Sequence, residues 1–343
     1  MGYLRVVDRS FNVAIVGATG AVGRELVRLL EDRNFPVANL TLLASARSVG
    51  EPIPFRGEDL RVQLTEASAF RNQDFVFFSA GASRSREFIP HAIQEQAYVI
   101  DNSSAFRMQS DVPLVVPEVN GHLLTTSTHL IANPNCTAAL LLMTLAPLRK
   151  LGQLSRVIVS TYQSASGAGA QAMEELRSQT RCFLDGEPVV PNILPHPYAF
   201  NLFSHNTPIG DDGANEEEAK VVEETRKILD DSRLPMNVTC VRVPVLRAHS
   251  ESVTVEFAGE RPSLEAVREA WAAMPGVQIV DDRAANLFPM PISASGGDDV
   301  LVGRLRNDPS HENAISYFLA GDQLLKGAAL NAVQIAESLA ALR

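Results

Sequence analysis

The sequence predicts an α/β protein of two domains, and three observations carry that reading. The chain has 343 residues, enough for two domains with ample core. Near its start a mostly apolar strand, Phe11 to Val16, runs through a glycine turn into a helix with apolar Leu26, Val27, Leu29 and Leu30. After the largely apolar run Ala138 to Ala146 the pattern changes, and valine- and threonine-rich strands and a proline-rich excursion follow.

Composition bounds the class. With 45% hydrophobic and 20% charged residues the chain reads as an ordinary globular protein. A net charge of −10 and no long basic run argue against nucleic acid as a general partner. The three cysteines, Cys136, Cys182 and Cys240, are far apart and odd in number, so no disulfide framework is implied and a reducing cytosol fits. Met1 to Asn12 carries no apolar signal-peptide core, and Ala138 to Ala146 is too short to span a bilayer. The seven histidines do not pair with cysteines or acids at metal-ligand spacing, so no metal is expected.

In order, the first strand enters Gly17, Ala18, Thr19, Gly20, Ala21, Val22 and Gly23, with a helix from about Arg24 to Glu31. The spacing is GxxGxxG, and strand, glycine turn and helix are what a dinucleotide-binding loop needs. Backbone N–H groups there can meet a pyrophosphate at the helix start; a tight turn with no ligand is the plainer alternative. The next strand, Asn39 to Ala44, ends in Ser45, Ala46, Arg47 and Ser48. An NAD site wants an acid there for the ribose 2′-hydroxyl, whereas a guanidinium and hydroxyls suit a 2′-phosphate, so the choice leans to NADP.

Asp74 to Ser79 and Ala97 to Ile100 read as strands, the first ending in small residues and the second running to Asp101–Arg107. Ligands of parallel sheets lie at the carboxyl ends of strands, which places Arg107 to hold an anion or, equally, to make a structural ion pair. Val112 to Val119 reads as an extended linker. It leads to Ile131, Ala132, Asn133, Pro134, Asn135, Cys136 and Thr137, where a helix begins at the cysteine. Free N–H groups and the helix dipole favour a thiolate in a first turn; on this stretch alone a buried cysteine opening a core helix is the stronger reading, which the rest of the chain reverses.

Ser155 to Tyr162 reads as a strand, Gln163 to Gly169 as a small-residue turn and Ala170 to Gln179 as a helix. Arg181 to Asp212 is rich in Pro, Asn and His and reads as a long irregular interface or lid. Ala214 to Leu229 is a helix, acidic early and basic late, on which Glu217 and Lys220 share a face. Asn237 to Val245 and Ser252 to Phe257 are strands, with Arg242 on the first and His249 at the bend between them. Leu264 to Ala273 is a helix, Val300 to Arg306 a strand, and the last helix covers about Gln323 to Leu339.

Together these pieces resemble the bacterial aspartate-semialdehyde dehydrogenase family over nearly the whole chain. The matching stretches are Gly17–Gly23, Ser45–Ser48, Asp101–Arg107, Asn133–Thr137, Tyr162–Gly169, Glu217–Lys220, Arg242–Glu251 and Asp322–Asn331, in family order. The resemblance implies a Rossmann-like NADP-binding domain over 1–134, completed by the C-terminal helix 323–343. It also implies a mixed α+β catalytic and dimerisation domain over 135–322, and a cytoplasmic homodimer. The implied reaction interconverts L-aspartate 4-semialdehyde, phosphate and NADP⁺ with 4-phospho-L-aspartate and NADPH. It precedes the branch to lysine or diaminopimelate, methionine and threonine.

By the same resemblance Cys136 is the nucleophile, His249 its acid/base partner, and Gln163 orients substrate and intermediate. Arg242 binds the substrate carboxylate and Glu217 its amino group, while Arg107 and Lys220 hold phosphate. The cofactor is met by Gly17, Thr19, Gly20, Ala21, Val22, Gly23, Arg47, Ser48, Ser166, Gly167 and Gln323. Two positions depart from many relatives: Ala248 stands where glycine is common before the histidine, and Gln323 where asparagine is. An N-acetyl-γ-glutamyl-phosphate reductase-like enzyme would use the same Cys and His, and the Gln163 and Glu217/Lys220 regions argue against it. A non-catalytic paralogue would be expected to lose the nucleophile, which is present.

Overall fold

The computed structural model describes residues 9–342; residues 1–8 of the mixed-polarity start, and Arg343, lie outside the described residues. The chain divides into two compact units. One runs through Asn135 and resumes at Ala328, and the other spans Cys136–Gly327.

The first unit contains β1 (Phe11–Val16), α1 (Ala21–Asp32), β2 (Val37–Ala44), β3 (Pro52–Phe55), β4 (Glu58–Arg61), β5 (Gln63–Leu64), β6 (Phe75–Phe78), α2 (Ala82–Gln94), β7 (Tyr98–Asp101), α3 (Pro117–Asn120) and β8 (Leu130–Ala132). Its six-stranded sheet has the order β5-β2-β1-β6-β7-β8, and its pairs are parallel. Strands β1, β6 and β7 are buried almost throughout, as parallel strands covered on both faces must be. Order reverses on either side of β1, so the strand ends next to the Gly17–Gly23 turn form a switch point, the usual ligand position in such sheets.

The second unit contains α4 (Cys136–Arg149), β9 (Leu154–Gln163), α5 (Ala170–Leu184), β10 (Phe203–Ser204), α6 (Glu216–Ile228), β11 (Met236–Arg242), β12 (His249–Phe257), α7 (Leu264–Ala272), β13 (Val277–Ile279), α8 (Pro291–Ala294), β14 (Val300–Asn307) and β15 (Ala314–Gly321). Its seven-stranded mixed sheet has the order β10-β11-β9-β12-β15-β14-β13. In β12, His249, Glu251, Val253, Val255 and Phe257 are buried, alternating below Ser250 with half-buried residues, as expected of a sheet with one face packed under helices. Helix α4 is buried nearly all round; Trp271 of α7 donates to its Thr144 carbonyl at 2.8 Å, and Thr144 Oγ1 lies 3.1 Å from Tyr317 Oη.

The chain returns to the first unit in α9 (Leu330–Ala341), where Glu337 takes a two-pronged ion pair from Arg33 at 2.7 and 2.8 Å. Among the described residues no helix is long and apolar enough to cross a membrane.

Several element readings need correction. Val112 to Val119 is not extended to its end, because Pro117 opens the short helix α3. The strand from Met236 stops at Arg242, and β12 starts at His249, so the histidine opens a strand rather than sitting in a bend. The last helix does not run from Gln323: a π-helical turn covers Leu325–Ala329 before regular α-helix starts at Leu330. The helix from Ala170 continues to Leu184, into the stretch read as irregular. Beyond Leu184 that stretch is mostly irregular, pinned to α5 where Glu175 accepts the N–H groups of Ile193 and Leu194, each at 2.9 Å.

Candidate active site

Strand register assembles the core of the site. Arg242 pairs with Gln163 across β11 and β9, and the β9–β12 register (Ser250 with Tyr162, Glu251 with Thr161) sets His249 beside Gln163 on the same face. Arg242, Gln163 and His249 thus form one row at the end of the helix-covered face, with exposures of 5%, 1% and 0%. The first turn of α4 brings Cys136 to this row: its Sγ lies 3.7 Å from His249 Nε2. Only a short side group fits beside the cysteine, since a Cβ at Gly327 would lie 2.8 Å from Cys136 Cβ.

Each polar group in the row has a defined role. Gln163 Nε2 donates to Thr137 Oγ1 at 2.9 Å and to Glu217 Oε1 at 3.0 Å, while its Oε1 has no hydrogen-bond partner. Arg242 Nη1 donates to the Ser164 carbonyl at 3.1 Å, and its buried Nε is likewise unpartnered. A buried guanidinium N–H and a buried amide oxygen, both unspent and adjacent, suit a ligand bearing a carboxylate and a hydrogen-bond donor. Gly167 lets the backbone pass close by: a Cβ there would lie 3.0 Å from His249 Cε1 and 3.1 Å from Arg242 Nη1.

Electrostatics keep the histidine neutral. Burial pushes its pKa well below the ordinary range, and the nearby charge of Arg242 pushes the same way. His205 is itself lowered to about 4, first by burial and then by Arg242. Of the other thiols, Cys182 is half-buried; Cys240 is buried with its pKa raised by that burial, which makes it inert at neutral pH.

Glu217 and Lys220 have different partners on α6. Glu217 is buried against Gln163, whereas Lys220 pairs with Glu216 at 3.2 Å. The helix is well founded, with Asn215 and Glu218 forming a reciprocal capping box. Ser166 and Gln323 are both buried and hydrogen-bonded to each other.

The first unit holds its own set. Gly17 adopts φ +87°, and a Cβ there would lie 2.3 Å from the Ser79 carbonyl oxygen. A Cβ at Gly23 would lie 2.2 Å from the Gly17 oxygen, so the turn admits only glycine at both points. Helix α1 is preceded by Gly20, which offers no side-chain cap, and has no acid in its first turn, so its first N–H groups suit a phosphate. Ala21 and Val22 supply that first turn, Thr19 Oγ1 lies 3.3 Å from Ser48 Oγ, and Arg47 is exposed in the 3₁₀ turn after β2. Arg107 is buried and donates to the carbonyls of Asn133 and Asn102, each at 2.8 Å. Asp101 organises that loop by accepting from Ser85 Oγ and Ser103 Oγ, each at 2.8 Å.

Residues 12–127 match the family model described as semialdehyde dehydrogenase, NAD binding domain, and residues 145–326 the model described as semialdehyde dehydrogenase, dimerisation domain. An aspartate-semialdehyde dehydrogenase of Synechocystis sp. is 54% identical over 327 residues, covering 95% of this chain and 96% of that protein. The chain belongs to the aspartate-semialdehyde dehydrogenase family. The Bacillus subtilis member is 44% identical, covering 97% of this chain and 98% of that one. Aspartate semialdehyde dehydrogenase II of Vibrio cholerae, in complex with ASA, superposes with a TM-score of 0.91 at 41% identity, covering 97% and 98% of the two chains. Family membership carries the fold: a Rossmann-like parallel sheet followed by a mixed-sheet domain.

Three residues that sequence reading passed over also contact the candidate site. Thr137 shares Gln163 with Glu217, and Ser164 contacts His249 Nδ1 through its backbone N–H at 3.1 Å and its Oγ at 3.0 Å. Gly327 gives Cys136 its room. The only sequence signal for Ser164 was a run of hydroxyls after a strand, and for Gly327 a glycine inside a helical pattern.

Proposed function

We propose that this protein catalyses the NADP-dependent, reversible conversion of 4-phospho-L-aspartate to L-aspartate 4-semialdehyde and phosphate. The step stands before the branch to lysine or diaminopimelate, methionine and threonine. The observation that carries this is the 3.7 Å approach of Cys136 Sγ to His249 Nε2, beside the unspent Arg242 Nε and Gln163 Oε1, in a chain of this family.

Cys136 attacks the carbonyl carbon and holds the acyl group as a thioester, which keeps it activated for phosphate. His249 is the acid/base partner and meets the oxygen of the adduct through Nε2. Gln163 orients the substrate, Arg242 takes its carboxylate and Glu217 its amino group. Arg107 and Lys220 hold the phosphate. Gly17, Thr19, Gly20, Ala21, Val22, Gly23, Arg47 and Ser48 bind the pyrophosphate and ribose phosphate of NADP, with Ser166, Gly167 and Gln323 on the nicotinamide side. When bound, NADP accepts or supplies the hydride. The close-packed glycine turn, the uncapped start of α1 and the exposed Arg47 support the fit of that cofactor.

A homodimer fits the match to a dimerisation domain, and the cytoplasm is the compartment proposed for it. The mixed sheet also carries a cavity of about 520 Å³ lined by Ser252, Phe318 and the Phe288–Pro291 segment. The deciding assay supplies the purified protein with L-aspartate 4-semialdehyde, NADP⁺ and phosphate. NADPH formation that needs phosphate supports the proposal. Reduction of N-acetyl-γ-glutamyl phosphate in preference to 4-phospho-L-aspartate would replace it with the neighbouring acyl-phosphate reductase activity.

A further inference from the structure

His205 lies just past β10, and the proposed reaction gives it no task. Phe203 pairs with Arg242 and Ser204 with Val241 across β10 and β11, and the His205 N–H continues that register by donating to the Cys240 carbonyl at 2.8 Å. Directly opposed residues share a face and successive residues alternate, so His205 belongs to the face that carries Arg242. It is only 7% exposed there. Arg242 on β11 and Glu217, Lys220 and Glu216 on α6 are all near enough for their charges to act on its ring.

The hydrogen bonds around Thr207 set the tautomer of that ring. Thr207 Oγ1 accepts the Glu217 N–H at 3.2 Å and donates to Asn215 Oδ1 at 3.5 Å, which leaves the hydroxyl one lone pair. His205 Nδ1 lies 3.3 Å from the same oxygen. The ring therefore donates through Nδ1–H, and Nε2 is the bare nitrogen. Among the described residues Nε2 has no hydrogen-bond partner. Burial, and after it the charge of Arg242, hold the pKa at about 4, so the ring is neutral near pH 7 and Nε2 keeps its lone pair. The Thr207 contact also ties the ring to the first turn of α6, where Glu217 sits.

We infer that His205 is a specificity-determining residue: its bare Nε2 accepts one N–H of the substrate's free amino group beside Glu217, and so selects a free amine over an acylated one. The inference rests on the proposed reaction and deepens it by adding a second acceptor for the amino group. An ammonium brings three N–H donors and a charge, more than one carboxylate oxygen can use. A neutral imidazole adds an acceptor without a second negative charge, so nothing new competes for Arg242. An acylated nitrogen has one N–H and no charge, and would leave either Glu217 or Nε2 without its donor, a costly outcome for buried groups.

The test is a pair of substitutions that separate the two ring nitrogens. His205→Asn can keep a donor to Thr207 but has nothing at the Nε2 position, whereas His205→Gln can place its Oε1 there. His205→Asn should raise the KM for L-aspartate 4-semialdehyde about tenfold, with the KM values for NADP and phosphate held within a factor of about two, and His205→Gln should recover most of the loss. A purely structural role through Thr207 gives the opposite order, with Asn near wild type and Gln impaired. That order, equal impairment of both variants, or a wild-type KM in His205→Asn would overturn the inference. Nitrogen NMR of the full chain with ¹⁵N-labelled histidine, the His205→Asn spectrum identifying the signals, should show a protonated Nδ1 and a bare Nε2 at neutral pH. A proton on Nε2 would overturn it equally. An active wild type with any of these results sinks this inference alone, while a wild type that forms no NADPH from the semialdehyde and phosphate sinks the proposed function and this inference with it.

Discussion

Gln163 donates to Glu217 Oε1 at 3.0 Å while its own Oε1 stays unpartnered, so α6 anchors one end of the amide and leaves the other unspent. Both residues are buried, which makes the carboxylate a strong anchor. Glu217→Ala should therefore raise the KM for the semialdehyde by about 10- to 100-fold, the scale of one charge-assisted hydrogen bond. The NADP KM should stay within a factor of about two, since that change lies below the worth of one such bond. Steady-state kinetics with each substrate varied in turn would check this, and equal increases for both would remove Glu217 from substrate binding.

Arg47 is exposed in the turn after β2, with no acid at that strand's end. Arg47→Ala should weaken NADP by roughly 1.5–3 kcal/mol and leave NAD little changed. The ratio of kcat/KM for the two cofactors is the readout. An unchanged ratio would mean that the guanidinium does not read the 2′-phosphate.

Gly327 stands against Cys136, where an added Cβ would come within 2.8 Å of the cysteine Cβ. Gly327→Ala should fold but displace the thiol, cutting kcat by an order of magnitude or more while cofactor affinity holds, because a small misplacement at a reacting atom is costly. The rate of Cys136 alkylation by iodoacetamide should shift in the same variant. Wild-type kinetics would show that the π-helical turn yields without moving the cysteine.

The parts of this molecule that were legible beforehand are those that local chemistry dictates. The strand, glycine turn and helix at Phe11–Asp32 announced themselves because backbone geometry there admits only glycine at Gly17 and Gly23. Cys136 was legible because Asn133, Pro134 and Asn135 break the chain just before an apolar helix. What escaped depends on partners distant in sequence. Strand β15 was missed although it pairs with both β12 and β14. Helix α2 was missed because Pro90 and several charges blur its apolar period. The place of His249 could not be read locally, since its register is set by β9, far earlier in the chain. The contact of Ser166 with Gln323 could not be read either, since 157 residues separate the two.

Glu251 is fully buried on β12, both its oxygens lack hydrogen-bond partners, and burial holds its pKa well above the usual carboxylate range. A folded-state pKa above the unfolded value means that the protonated group suits the fold at low pH. Stability is then lost as pH rises from about 4.3, the unfolded value, toward the folded one. Glu251→Gln removes that titration and keeps the shape. Its stability relative to wild type should therefore grow with pH above about 5, by at most about 1.4 kcal/mol per pH unit. Denaturant melts of both proteins at several pH values would show it, and a constant difference would mean that Glu251 is ionised in the fold.

The central claim is that Cys136 carries the acyl group with His249 beside it. Its most direct measurement is mass spectrometry of the enzyme mixed with 4-phospho-L-aspartate in the absence of NADPH. The added aspartyl mass should fall on the Cys136 peptide, vanish in Cys136→Ala, and form about 10² to 10⁴ times more slowly in His249→Asn, the usual loss for a general acid or base. Acylation of Cys182 or Cys240 with Cys136 unmodified, or an undiminished rate in His249→Asn, would contradict it.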